Sequence, residues 1–103
     1  AGLANGVVGV PDIGLLTADE MAQLAGYIAR AVDIPAIADA DDGYGDAWQT
    51  YRTVERYERE GLAALHLEDQ QGPKRCGHLD GKQLIPTEVM QAKLRAAVAA
   101  RQN

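Results

Sequence analysis

PAIADADDGYGDAWQTYRTVERYEREGLAALHLE, residues 35–68, sets two short runs of small and aliphatic residues on either side of one helical run. Pro35 opens the first run, PAIADAD, which gives way to the turn-rich DDGYGD. Asp46 stands where a helix N-cap belongs. Ala47, Tyr51, Val54 and Tyr57 then share one helical face, and Gly61 sits where a left-handed stop belongs. The second run, LAALHLE, follows at once. Strand, helix and strand in about 35 residues make a βαβ unit, whose strands lie parallel and whose crossover is right-handed. The fold class is therefore α/β with a parallel sheet. Helices cover such sheets, and ligands bind at the C-terminal ends of the strands.

The acids collect at that end. Side chains alternate along a strand, so Asp39 and Asp41 project to one side while Ala36, Ala38 and Ala40 project to the other, where small residues suit close packing under helices. His66 and Glu68 share a face of the second strand in the same way. If both polar sets point inward, Asp39, Asp41, His66 and Glu68 form a cluster whose carboxylates repel unless a cation sits among them. Hard oxygen ligands with no second histidine nearby suit Mg2+ or Mn2+. The plainer alternative is that these acids cap turns and face solvent. DADDG also opens like a calcium-binding EF-hand loop, but its glycine comes one position early and Thr50 stands where the Glu is required, so that reading fails.

The flanks continue the alternation. Thr17-Ala-Asp-Glu20 has capping-box spacing and starts a helix on which Met21, Leu24, Ala25, Ile28 and Val32 recur along one face. A polar segment from Asp69 to Pro86 leads to another helix from Thr87, with Met90, Leu94, Ala97 and Val98 facing inward. By their spacing Trp48, Tyr51 and Tyr57 read as core residues rather than a stacking platform, and Arg56, Glu58 and Glu60 as a solvated face. A composition of 47% hydrophobic and 24% charged residues is that of a globular protein. The net charge of −5 without a basic stripe argues against nucleic-acid binding. Ala1 to Pro11 is too short and interrupted to span a bilayer and lacks the pattern of an export signal. The lone cysteine fits a reducing, cytoplasmic compartment.

That cysteine lies in GPKRCGHLDGK, residues 72–82. Cys76, His78 and His66 are one ligand short of a structural zinc site. A buried, inert thiol is the ordinary expectation for a single Cys, yet the flanking charge and glycines describe an exposed loop. Lys74, Arg75 and His78 are placed to favour a thiolate and hold it ready to exchange a proton. Gly72, Gly77 and Gly81 give the loop the freedom of a lid. Tyr44 lies at the mouth of the proposed site, where its hydroxyl either meets substrate or packs under the loop.

ADADDGYG (residues 38–45), LHLEDQ (65–70) and PKRCGHLDGK (73–82), with VPDIGLLTADEM (10–21) upstream, closely resemble the isocitrate lyase and phosphoenolpyruvate mutase superfamily, in particular its methylisocitrate lyase-like branch. The resemblance covers essentially the whole chain. It implies that residues 1–103 are an internal portion of a (β/α)8 TIM-barrel lyase domain, a partial barrel of about two βα units plus flanking helices. It also implies Mg2+ (or Mn2+) held by Asp39 and Asp41, with Glu68 reaching the metal directly or through water. On the resemblance Cys76, Lys74 and His78 are catalytic, Cys76 as the proton donor to a departing carbanion. Asp39, Tyr44, Arg75, Gly77 and His78 would meet the substrate. The implied activity is a reverse-aldol cleavage of a 2-hydroxy di- or tricarboxylate to a 2-oxo acid and a carboxylate, by a protein that forms homo-oligomers. Superfamily relatives acting on C–P bonds or decarboxylating oxaloacetate typically lack the KRCGH loop, which favours the C–C lyases. A whole barrel takes about 250 residues. The opening strand of such a barrel, the Ser-Gly-Gly type phosphate or carboxylate cradle that the resemblance implies and the later strands are absent from these 103 residues, so the chain alone is expected to expose apolar surface. A non-catalytic, self-associating piece is the alternative from a different class.

Overall fold

The structure is a computed structural model and describes residues 1–103. After a π-helical turn at Ala4–Val8, the order is α1 (Ala18–Ala31), β1 (Ile37–Asp39), α2 (Ala47–Arg59), β2 (Ala64–His66) and α3 (Thr87–Ala100). The two strands pair in parallel, with Ile37 opposite Ala64, Ala38 opposite Leu65 and Asp39 opposite His66. Both are shorter than the sequence runs suggest. Asp41 turns to φ 48°, out of the extended region, and that ends β1 early. Single bonds from Ala63 N–H to the Ala36 carbonyl (2.9 Å) and from Glu68 N–H to the Asp41 carbonyl (2.7 Å) still align the flanks.

Three of the helix boundaries follow local chemistry. Thr17 caps α1 in a complete capping box: its hydroxyl accepts from Glu20 N–H, and the Glu20 carboxylate accepts from Thr17 N–H at 2.8 Å. The Asp46 carboxylate caps α2 by accepting from Gln49 N–H at 3.0 Å. At the other end Gly61, with φ 93°, lets its own N–H bond the Glu58 carbonyl and that of Leu62 bond the Tyr57 carbonyl, the two bonds of a Schellman stop.

The bond from Thr17 N–H holds the Glu20 carboxyl below its ordinary value of 4.5. A depressed carboxyl stabilises the fold above its unfolded value and loses that contribution as pH falls through the folded one. Glu20→Ala is therefore expected to be destabilising at pH 7, with the deficit narrowing as pH drops below 4.5; urea unfolding at several pH values measures it.

The core joins Met21, Ala22 and Ala25 of α1, Ala38 and Ala40 of the first strand run, Tyr57 of α2 and Leu62. The alanine face of the strand is thus the covered one, as the alternation requires. The inward stripe of α1 is rotated from the expected one: Ala22 and Gly26 are buried, whereas Ile28 and Val32 are exposed. Trp48, expected in the core, is 81% exposed, because Thr50, Thr53, Val54 and Tyr57 turn the buried face of α2 away from it. Along α3, Leu94 and Val98 are also exposed. They line an open groove of about 720 Å³ together with Val54, Leu65 and Leu67. β1 and β2 form a two-stranded sheet with free outer edges. No helix is long and apolar enough to cross a membrane.

Candidate active site

Four acidic residues and one lysine meet beyond the C-terminal ends of the strands. Lys74 places its ammonium 2.6 Å from Asp41 Oδ1 and 2.8 Å from Asp12 Oδ1, with a side chain only 4% exposed. Asp39 Oδ1 accepts from Asp41 N–H at 2.9 Å. Glu68 Oε2 accepts from Gln70 Nε2 at 2.8 Å. As these side chains stand, no three acids or histidines converge on one point that could hold a metal ion. The expected set of Asp39, Asp41 and Glu68 is therefore gathered in one place but turned to other partners, because a protein ammonium already supplies positive charge to Asp41.

The electrostatics describe a crowded set of acids only partly offset by Lys74. Burial pushes the Asp41 carboxyl up, and its neighbours Asp39 and Asp12 add to the effect against the pull of Lys74. Burial likewise raises Glu68, with Asp39 and Asp41 reinforcing it. Asp12 moves the other way: burial works to raise it, but the hydrogen bond and charge of Lys74 help bring it below the ordinary range. Burial acts to lower Lys74, and its two carboxylate partners overcome this and raise it. Three carboxylates of hard oxygen donors, two of them kept from easy ionisation, fit Mg2+ or Mn2+ in donor type and charge. Asp39, Asp41 and Glu68 are the residues that would hold it.

The segment 69–86 is tied down at several points. Gln70 and Leu84 form an antiparallel bridge at its base. Buried Gln70 grips the Arg75 backbone twice: its Oε1 accepts from Arg75 N–H at 3.0 Å and its Nε2 donates to the Arg75 carbonyl at 2.9 Å. Cys76 N–H donates to the Asp12 carbonyl at 3.1 Å, so Asp12 holds the backbone of the cysteine and the side chain of Lys74 at once. Cys76 itself is half-buried. Arg75, Gly77 and His78 are exposed, the Arg75 guanidinium donating to the Asp80 carbonyl at 3.3 Å. Lys82 ties the far side through bonds to the Gly77 and Leu79 carbonyls. Among the candidate residues, Lys74, Asp39, Asp41 and Glu68 are brought together, whereas His66 is exposed at the end of β2. Tyr44 packs against the core with its hydroxyl 3.2 Å from that of Tyr57.

Sequence reasoning singled out neither Asp12, Gln70 nor Lys93. Asp12 had a signal, being the one charged residue among the first 16. The loop after β1 adds a sharp steric requirement. Gly43 has φ 87°, and a Cβ there would lie 2.4 Å from the Oγ1 of fully buried Thr50. Gly43→Ala is expected to cost about 3 kcal/mol from left-handed strain and overlap together, read from denaturant midpoints.

Parallel strands under helices, with a buried lysine bridging acids beyond their C-terminal ends, define an α/β segment whose polar centre lies on the usual active face of such folds. The phosphoenolpyruvate phosphomutase family matches residues 1–103, and the chain belongs to that family, within the phosphoenolpyruvate mutase and isocitrate lyase superfamily. It is 50% identical to 2-methylisocitrate lyase of Aeropyrum pernix over 99 residues, 96% of this chain and 32% of that relative. It is similar to the crystal structure of 2,3-dimethylmalate lyase at 48% identity and a TM-score of 0.93, over 99% of this chain and 34% of the other. A structure of phosphonopyruvate hydrolase in complex with oxalate and Mg2+ matches at 35% identity and a TM-score of 0.86, over all of this chain and 35% of the other. The chain thus spans about a third of the length of the curated relatives it matches.

Proposed function

We propose that the protein carrying this segment is a divalent-cation-dependent carbon–carbon lyase that cleaves a 2-hydroxy di- or tricarboxylate of the methylisocitrate type to a 2-oxo acid and a carboxylate. The observation that carries the reading is the union of Asp39, Asp41 and Glu68 beyond two paired parallel strands with a loop that bears Cys76, tied to the same centre through Asp12. Mg2+ bound there would supply Lewis-acid polarisation of the substrate oxygens. The residues do the rest. Asp39 and Asp41 fix the polar end of the site, and Lys74 offsets their charge so that an anionic substrate can approach. Arg75, His78 and the Gly77 backbone present exposed donors to the carboxylate arms. As the C–C bond breaks, the 2-hydroxyl passes its proton to a carboxylate of the site and becomes the carbonyl of the 2-oxo acid, and the carbanion left next to the other product's carboxylate takes its proton from the Cys76 thiol. Closure of the loop keeps water from the same carbon.

The substrate is a small carboxylate, with no nucleic acid or membrane involved, in a cytoplasmic setting. The family match and the phosphonopyruvate hydrolase likeness favour, as the second reading, chemistry at a C–P bond with the same acids. A panel on the full gene product separates the two. Methylisocitrate, isocitrate, dimethylmalate, oxaloacetate and phosphonopyruvate are offered with Mg2+ and with a chelator. Chelator-sensitive 2-oxo acid release from one of the three hydroxy acids supports the lyase; turnover of phosphonopyruvate or oxaloacetate alone overturns it.

A further inference from the structure

The loop that leaves β1 is held in an unusual backbone. Asp41 (φ 48°), Gly43 (φ 87°) and Tyr44 (φ 62°) are all left-handed within four residues, and two of them are not glycine. Such a conformation persists only where its surroundings over-determine it. Three successive carbonyls show how. That of Asp41 accepts from Glu68 N–H at 2.7 Å, that of Gly43 from Thr53 Oγ1 of α2 at 3.0 Å, and that of Asp42, between them, from Lys93 Nζ of α3 at 2.7 Å.

Lys93 is the unexpected member of this set. It reaches across 51 residues of sequence and is only 5% exposed. It takes part in no ion pair, and the Asp42 carbonyl is its one protein hydrogen-bond partner. Burying an ammonium to bond a neutral carbonyl is costly where an apolar side chain would fill the same space. The bond has a geometric product: it fixes the Asp42–Gly43 peptide, one residue beyond Asp41, and together with the Glu68 N–H bond to the Asp41 carbonyl it holds the turn on which Asp41 and the Asp39 carboxylate bonded to its N–H stand.

We propose that Lys93 is a positioning residue for the cation site, a clamp from α3 that holds the left-handed loop backbone beside Asp39, so that an arriving ion finds both carboxylates within reach once Asp41 turns from Lys74. This rests on the reading that those acids bind a divalent cation. Its test measures Mn2+ binding directly, by loss of the free-ion paramagnetic signal, in the full gene product and in Lys93→Met, Lys93→Gln and Lys93→Arg variants, together with the rise in melting temperature that Mn2+ produces. Lys93→Met and Lys93→Gln are expected to bind Mn2+ at least about tenfold more weakly, as losses outside the ligand shell commonly do, and Lys93→Arg to stay within about threefold of the parent. The Mn2+-dependent rise in melting temperature shrinks in the same order. If Lys93→Met does not fold, Lys93→Gln and Lys93→Arg carry the comparison. Parent-like Mn2+ affinity in the neutral variants overturns the clamp alone, and so does an equal loss in Lys93→Arg, which would make the effect one of packing. A parent protein that binds no Mn2+ overturns the cation reading itself, and the clamp falls with it.

Discussion

Cys76→Ser in the full gene product is expected to lower kcat by about 10²–10⁴-fold while KM changes little. An alcohol is a far weaker acid than a thiol, so serine keeps the shape of the side chain and withdraws the proton the carbanion needs. The position is structurally inexpensive to alter. Cys76 is half-buried, and its anchoring bond to Asp12 runs through its backbone N–H, which serine retains. Stability should therefore be unchanged, so the loss reads on chemistry. Steady-state kinetics on the substrate identified by the panel, with thermal melting as the control, measure both. Turnover retained within a few-fold would mean that the thiol is not the donor and would promote the C–P or decarboxylase reading.

Lys74→Met is expected to destabilise the protein by about 3 kcal/mol, the usual size of the loss when one partner of a buried ion pair is removed. Two carboxylates, Asp12 and Asp41, lose their common ammonium, and their side chains are only 13% and 10% exposed. The deficit has a sign in pH. Unpaired acids next to Asp39 and Glu68 favour protonation, so acid neutralises the repulsion and the gap to the parent protein narrows as pH falls; it is widest where all four are ionised. Lys74→Arg should not rescue it, since a planar fork does not fit where a compact ammonium spans two carboxylates. Millimolar Mg2+ should restore part of the loss, because a cation that binds only the folded state stabilises it. Urea titrations from pH 4 to 8, with and without Mg2+, test all three points.

The fold was legible because it is written in local pattern. The Thr17 capping box, the Asp46 cap and the Gly61 stop each involve residues within a few positions of one another, and all three appear as read. Alternation in PAIADAD likewise separates the alanines under α1 from the acids. What escaped was set by partners distant in sequence. Nothing in the spacing of α1 says that Ala22 and Gly26, not Ile28 and Val32, meet the core. That depends on Gly26 lying close against Glu60 at the end of α2, where Arg30 is also bonded. The inward face expected for α3 is an open groove wall, since periodicity identifies an apolar face without saying what covers it. At the site, register alone grouped Asp39, Asp41, His66 and Glu68, and of these His66 lies exposed at the end of β2. The ammonium between Asp12 and Asp41, and the Lys93 bond to Asp42, join segments 33 to 62 residues apart along the chain, and only the folded backbone brings them together.

The same long-range pairing frames the central question, which is whether the acids yield to a metal ion when one is offered. Anomalous scattering from crystals of the full gene product soaked in Mn2+ answers it directly. A single strong peak is expected among the carboxylates of Asp39, Asp41 and Glu68, with the Asp41 side chain turned at least in part from Lys74. A peak elsewhere, or none, with Lys74 still seated between Asp12 and Asp41, would contradict the cation reading.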